Sequence, residues 1–202
     1  MKKPTEYTMH TILGVPESIS LIKIGEMSKD ELTLLRSIPL SKVPSTWNNS
    51  TGLPNHDHEE IALAKQYEFD LQPCIEKNSV YYDYDFRETP EILKNIIKDK
   101  YPKVFNYTHK LFMFLEASFV NLHNDSSSCS SRGQIMFILD NIAEHTLLSI
   151  NNKGEHVLLT PKSGDIVMLD IISKHALIPN QKLGIDFMFA NKLQFMSVNF
   201  KR

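Results

Sequence analysis

The chain has 202 residues, 42% hydrophobic and 23% charged, a balance that excludes wholesale disorder and suits one well-buried core while being short for two full domains. Its formal net charge of −2, with 22 basic residues scattered rather than clustered, disfavours nucleic acid as a partner. No run approaches the roughly 18 apolar residues of a membrane-spanning helix. Met1-Lys2-Lys3-Pro4-Thr5-Glu6 leads into no apolar signal core, and the two cysteines, Cys74 and Cys129, are too few for a disulfide framework, so a cytoplasmic protein is expected.

Residues 1–105 read as a helical and irregular cover. Ser28-Lys29-Asp30-Glu31 is a capping box: the Ser side chain accepts from the N–H three residues on, and Glu31 reaches back to the Ser28 N–H. It opens a helix through about Ser37, with Leu32, Leu34 and Leu35 on its apolar face. Residues 58–69 form a second helix, whose acidic first turn suits the positive end of the macrodipole. Thr89-Pro90-Glu91 starts a third, carrying Ile92, Leu93, Ile96 and Ile97, and Pro102 closes it. Between them, residues 45–52 around Trp47 and residues 80–85 are polar-aromatic segments that suit either a substrate rim or ordinary packing. His56-Asp57-His58-Glu59-Glu60 gathers metal-binding residue types, but no third ligand follows at a recognised spacing, and a solvated helix start accounts for the acids.

From residue 109 the pattern changes to short runs rich in β-branched, Leu, Met and Phe residues: 110–115, 118–123, 134–139, 145–150, 156–160, 165–169, 185–189 and 193–200. Asn151-Asn152-Lys153-Gly154 and Pro161-Lys162-Ser163-Gly164-Asp165 supply turns with residues that tolerate positive φ. Such a series without a helical period predicts a sandwich or barrel, so the expected protein is mainly β, a single domain with a cover over 1–105 and a core over 106–202.

The core carries His123-Asn124-Asp125 and, much further on, His175. Two imidazoles and one carboxylate are the ligand set that holds a non-haem Fe(II) on one side and leaves the opposite positions open. A His and an Asp two apart project to the same face of an extended strand end, so the triplet is half of such a site if the fold returns His175 to it. Cys129, in the Ser-rich loop 126–131, lies four residues beyond Asp125, where a loop side chain could touch substrate.

These segments resemble Fe(II)/2-oxoglutarate-dependent oxygenases. Residues 111–125, with the Glu116-Ala117-Ser118 turn leading into Asn121-Leu122-His123-Asn124-Asp125, look like the paired strands that open that family's double-stranded β-helix, a jelly-roll or cupin-like barrel. Thr160-Pro161-Lys162-Ser163-Gly164-Asp165 and Lys174-His175-Ala176-Leu177-Ile178-Pro179-Asn180 resemble its "P-x-x-G-D…H-x-V-x-P" stretch, and the likeness spans residues 109–200. It implies that His123, Asp125 and His175 hold Fe(II), that 2-oxoglutarate is the cosubstrate and molecular oxygen the oxidant. It further implies hydroxylation of a small molecule, amino acid or peptide with release of succinate and CO2.

The same resemblance calls for a basic residue to pair with the distal carboxylate of 2-oxoglutarate, because a buried charge without a partner is costly. In residues 193–200, which look like the family's "R-x-S-L-x-F" strand, Phe195 stands where the Arg is expected. Arg132, opening the strand after the triplet, is the first alternative. Lys182 is the second, if 182–187 forms a strand, and Lys192 the third. Phe195 also keeps two rival readings open: a catalytically silent scaffold with the same fold, and a cupin-type metal enzyme that does not use 2-oxoglutarate.

Overall fold

Two antiparallel sheets face each other across an interior that is apolar at one end and polar at the other. The computed structural model describes residues 9–40, 43–44, 58–77, 81–83, 89–105, 111–125 and 131–201. In chain order the elements are α1 (Met9–Leu13), β1 (Leu21–Glu26), α2 (Lys29–Arg36), β2 (Val43–Pro44), α3 (His58–Gln66), α4 (Leu71–Lys77), β3 (Tyr81–Asp83), α5 (Glu91–Lys100) and α6 (Pro102–Phe105). There follow β4 (Leu111–Ala117), β5 (Val120–His123), β6 (Ser131–Asp140), β7 (Thr146–Ile150), β8 (His156–Leu159), β9 (Asp165–Leu169) and β10 (Lys174–Ile178). A 3-10 turn over Gln181–Leu183, α7 (Ile185–Ala190) and β11 (Leu193–Lys201) complete the described chain.

The larger sheet has the order β1-β9-β6-β11-β4-β3-β2 and the smaller one β5-β10-β7-β8. Among the described residues no strand of one sheet pairs with a strand of the other, so the barrel stays open, with β1 lying against β8 unpaired. The period of two sorts each central strand onto two faces. On β11, Leu193 and Phe195 point to the interior while Met196 and Val198 point to the helices. On the helix side, Leu35 of α2, Leu93, Ile96 and Ile97 of α5 and Val104 of α6 pack on Phe112, Phe114, Ile135 and Phe137. Leu63 of α3 covers the far face of the smaller sheet through Leu148, Ala176 and Ile178.

Local chemistry sets the turns. The Ser28–Glu31 capping box forms as expected, with Glu31 N–H donating to Ser28 Oγ at 3.2 Å and Ser28 N–H to Glu31 Oε2 at 2.6 Å. In the β7–β8 hairpin Asn151 Oδ1 accepts from the N–H groups of Lys153 and Glu155, both at 3.0 Å. The turn into β9 needs positive φ at Gly164 (94°), and Asp165 locks it by accepting from Lys162 N–H at 2.8 Å. Asp165 also pairs with Lys23 of β1 at 2.7 Å, so this turn clips the edge strand to the sheet.

Several expectations are corrected. Residues 185–189 are helix, not strand, and 182–187 span the 3-10 turn and the start of α7. The Ile185/Phe187/Phe189 alternation mimics a strand, but Met188 N–H donates to Gly184 O at 3.0 Å, and Met188, fully buried, packs on Cys74 and Phe119. Ser118 Oγ donates to the Met188 carbonyl at 2.9 Å and ties the helix to the β4–β5 turn. The cover is not purely helical and irregular, because β1, β2 and β3 join the larger sheet. The second helix, expected over 58–69, ends at Gln66, with α4 following as a separate helix, and Pro102 starts α6 one residue after α5 is closed by Tyr101. The segments around Trp47 and His56-Asp57, half of 80–85, and Cys129 lie outside the described residues. No helix among the described residues is long and apolar enough to cross a membrane.

Leu93 is fully buried where α5 meets the sheet, whereas Leu34 is 50% exposed. Leu93→Ala is expected to lower unfolding free energy by about 2–5 kcal/mol, and Leu34→Ala by no more than about 0.5 kcal/mol. Urea titration of both variants tests the assignment of the helical layer to the core.

Candidate metal centre

β5 and β10 are neighbours in the smaller sheet, and their pairing is irregular in a way that makes the site. Leu177 pairs with Val120, so a regular ladder would place His175 opposite Leu122. Instead β5 carries one extra residue, and His175 faces His123. Leu122 is thereby turned to the α3 side, where it packs against Leu148 and Ile178, and His123 is turned to the interior. The two imidazole centroids are 4.3 Å apart. Two residues past His123, Asp125 N–H donates to Ile171 O at 3.1 Å, which folds the chain back over the strand ends.

Asp125 then lies between the rings, with Oδ1 3.6 Å from His123 Nε2 and Oδ2 3.8 Å from His175 Nε2. One ligand atom from each of the three residues lies within 4.8 Å of the others. His123 Nδ1 lies 2.7 Å from Asn121 O and His175 Nδ1 lies 2.9 Å from Ser173 O. A carbonyl only accepts, so each Nδ1 carries the proton and donates it, and each Nε2 turns its lone pair toward the centre. Burial, and then the charge of His123, pushes His175 down to about 4, which keeps it the neutral imidazole a metal requires. Bonds of about 2.1 Å put neighbouring ligand atoms about 3 Å apart, so small side-chain rotations of the three residues would bring the set onto a divalent first-row cation. The donor set fits such an ion, and its three members approach from one side.

The basic candidates fare unequally. Arg132 belongs to β6, two residues before Gln134, and its side chain lies outside the described residues. Lys182 is exposed on the 3-10 turn, beyond the end of β10 that runs away from His175. Lys192 lies 4.0 Å from Glu116 Oε1, beside the Leu193–Ala117 pair at the Ser118 turn, and β5 runs from that turn away to His123. Neither lysine is brought to the triad. Phe195 is buried among the apolar residues of the interior. Of the rival acidic cluster, Glu59 pairs with Lys174 Nζ at 2.5 and 2.7 Å, so the first turn of α3 is tied beside His175 and serves as a helix start. Cys74 is buried and its thiol is pushed up to about 12, which leaves it unreactive.

The sequence reading missed a group of buried polar residues around the triad. Ser149 of β7 faces His175 across the ladder, and Gln134 of β6 and Ser197 and Asn199 of β11 are also buried. Gln134 Nε2 donates to Ser197 Oγ at 2.8 Å. Their signal was the alternation itself: Ser149, Gln134 and Ser197 lie two residues from the inward Leu147, Met136 and Phe195, and Asn199 lies two beyond Ser197.

Two of the buried histidines set a pH dependence. His175 and His145 are both held below the ordinary 6.5 by burial. Between about 4 and 6.5 the unfolded chain therefore binds protons that the folded state refuses, so stability is complete above this window and falls as pH drops through it. The urea midpoint of the metal-free protein should decline from pH 7.5 to pH 5, and His175→Gln should flatten the decline. An unchanged slope in that variant would remove His175 from the cause.

No protein-family model and no curated protein sequence matches the chain. Solved structures do. An oxidoreductase of the 2OG-Fe(II) oxygenase family from Burkholderia pseudomallei superposes with a TM-score of 0.58 at 9% identity, covering 98% of this chain and 93% of that one. EctD from S. alaskensis, solved with 2-oxoglutarate and 5-hydroxyectoine, gives 0.51 at 11% identity, covering 91% and 72%. AviO1 from Streptomyces viridochromogenes Tue57 gives 0.50 at 12%, covering 92% and 91%. At such identities the likeness is one of fold: the chain has the double-stranded β-helix of 2OG-Fe(II) oxygenase structures, left open as a barrel, and its His123, Asp125 and His175 fit the His-x-Asp…His triad.

Proposed function

We propose that the chain is an Fe(II)- and 2-oxoglutarate-dependent oxygenase that hydroxylates a small molecule, amino acid or peptide and releases succinate and CO2. The observation that carries this reading is the convergence of His123, Asp125 and His175, with both Nδ1 atoms bound to carbonyls and both Nε2 atoms facing the carboxylate. The fold shared with a 2OG-Fe(II) oxygenase and with EctD, a protein solved with 2-oxoglutarate, supports it.

Bound there, Fe(II) and 2-oxoglutarate supply the oxidation of a C–H bond by oxygen. The protein's own residues have simpler tasks. His123 and His175 present neutral nitrogens on fixed rings, and the carbonyls of Asn121 and Ser173 stop those rings from turning. Asp125 supplies the anionic ligand, held by its own backbone bond to Ile171. Together these three residues would hold Fe(II), which would take up 2-oxoglutarate and oxygen. Arg132 is the basic candidate on the strand that also carries Gln134, and we assign it to the distal carboxylate ahead of Lys182 and Lys192. The same reading places the enzyme in the cytoplasm, where Fe(II) and thiols such as that of Cys74 stay reduced.

Protein loaded with Fe(II) should convert 2-oxoglutarate to succinate with oxygen uptake, and Asp125→Ala should lose both bound iron and succinate formation while keeping its fold by circular dichroism. Iron bound by His123, Asp125 and His175 with no succinate formed would favour the cupin-type enzyme that does not use 2-oxoglutarate. No bound iron would favour the silent scaffold.

A further inference from the structure

On the face of the larger sheet turned away from the triad, α1, the edge strand β1 and α6 border a cavity of about 410 Å³. That size is within the range of small-molecule sites. Its lining is largely apolar. Leu13 and Val15 come from the end of α1 and the loop beyond it, Ile22 and Ile24 from β1, and Val104 from α6. All but the fully buried Val104 are half-buried: they pack on the helical core and still border the cavity.

The segments around it are fastened to the fold. Val15 N–H donates to His10 O at 2.9 Å and His10 Nε2 lies 2.7 Å from Ile19 O, which holds the connection from α1 to β1. Tyr101 N–H donates to Ile97 O at 2.8 Å and Phe105 N–H to Tyr101 O at 3.1 Å, which fixes the passage from α5 into α6.

The polar side chains of the described lining are Lys23, Lys100, Lys103 and Tyr101, with no acid among them. Two of the lysines are already matched by residues outside the lining, Lys23 by Asp165 at 2.7 Å and Lys100 by Glu31 at 3.1 Å. Lys103 has no carboxylate partner among the described residues. Its stem can lie along apolar surface while its ammonium stays in water at the rim. The Tyr101 hydroxyl sits over Gly25, where an added Cβ would collide with it, so the missing side chain is what admits the hydroxyl. Burial, and then the charge of Glu31, pushes Tyr101 up to about 12, so the hydroxyl keeps its proton and can donate it.

We propose that this cavity binds a small amphiphilic carboxylate, its hydrocarbon body laid on Leu13, Ile22 and Ile24 and its head taken by Lys103 and the Tyr101 hydroxyl. The proposal is independent of the oxygenase reading. Two donors match the two oxygens of a carboxylate, and the ammonium of Lys103 makes its bond charge-assisted. A cationic head would meet three lysines and no acid of the lining, and a neutral one would leave Lys103 without a counter-charge.

The test follows the amide resonances of the ¹⁵N-labelled full chain at pH 7.5 on titration with octanoate, octanol and octylammonium, each below its micelle concentration. Octanoate should shift Ile22, Ile24 and Lys103 saturably, octanol should shift the same amides at higher concentration, and octylammonium should not. Lys103→Ala should weaken octanoate about three- to fivefold and leave octanol unchanged, a split that a merely structural role would not give. Tyr101→Phe, which keeps the ring, should weaken octanoate about threefold. Lys153→Ala, which removes a charge from the β7–β8 hairpin, should change nothing. No saturable shift with octanoate, equal affinity for all three heads, or unchanged octanoate affinity in both Lys103→Ala and Tyr101→Phe would each overturn the proposal.

Discussion

One extra residue in β5 is the constraint on which the site depends. Without the bulge between Val120 and His123, Leu122 would face the interior and His123 would face α3. Every other part of the centre presupposes that displacement. Asn121, within the bulge, supplies the carbonyl that holds His123 Nδ1. β10, held between β5 and β7, delivers His175 to the right height through an unbroken ladder with β7. The irregularity is confined to the side where it turns a ligand inward, and regular pairing on the other side keeps its partner from slipping.

The interior shows how a small protein accommodates a polar centre in a stable sheet pair. Apolar packing is concentrated at the Ser118 end, where Phe195, Leu177 and Met136 meet, and on the two outer faces covered by helices. Rigidity is carried by those three layers, so the triad end is free to hold polar groups that add little to stability. The Glu59–Lys174 pair and the Lys23–Asp165 pair fasten the cover to the sheets at two points, one beside the triad and one at the sheet edge.

Much of this was legible in the sequence because it is governed by neighbours in the chain. The capping box at Ser28, the Asn151 hairpin and the Gly164-Asp165 turn each state their geometry within four or five residues. The triad was legible through its residue types and the strand-like text around it. What was not legible depends on partners far away. Residues 185–189 alternate like a strand and become helix because Met188 fits between Cys74 and Phe119. β1 looked like part of an irregular cover because nothing near it announces that β9 is its partner. The bulge in β5 leaves no mark at all, since it is defined only by the ladder with β10. Lys192 is as basic as any anchor, and only the register shows that it sits at the wrong end.

The pairing of β1 with β9 has a consequence for how the chain reaches its native state. Leu21 meets Leu169 and Glu26 meets Asp165, so the edge of the larger sheet joins the first strand of the described chain to one near its end. During synthesis β1 emerges early and waits, with half of its residues' hydrogen-bonding edge unmatched, until β9 has been made. Closing so large a loop costs entropy before any contact rewards it, which favours a late place for this pairing in folding. Over that interval Ile22 and Ile24 are exposed on a strand with no neighbour, and the charged Lys23 and Glu26 discourage a second nascent chain from taking the place of β9.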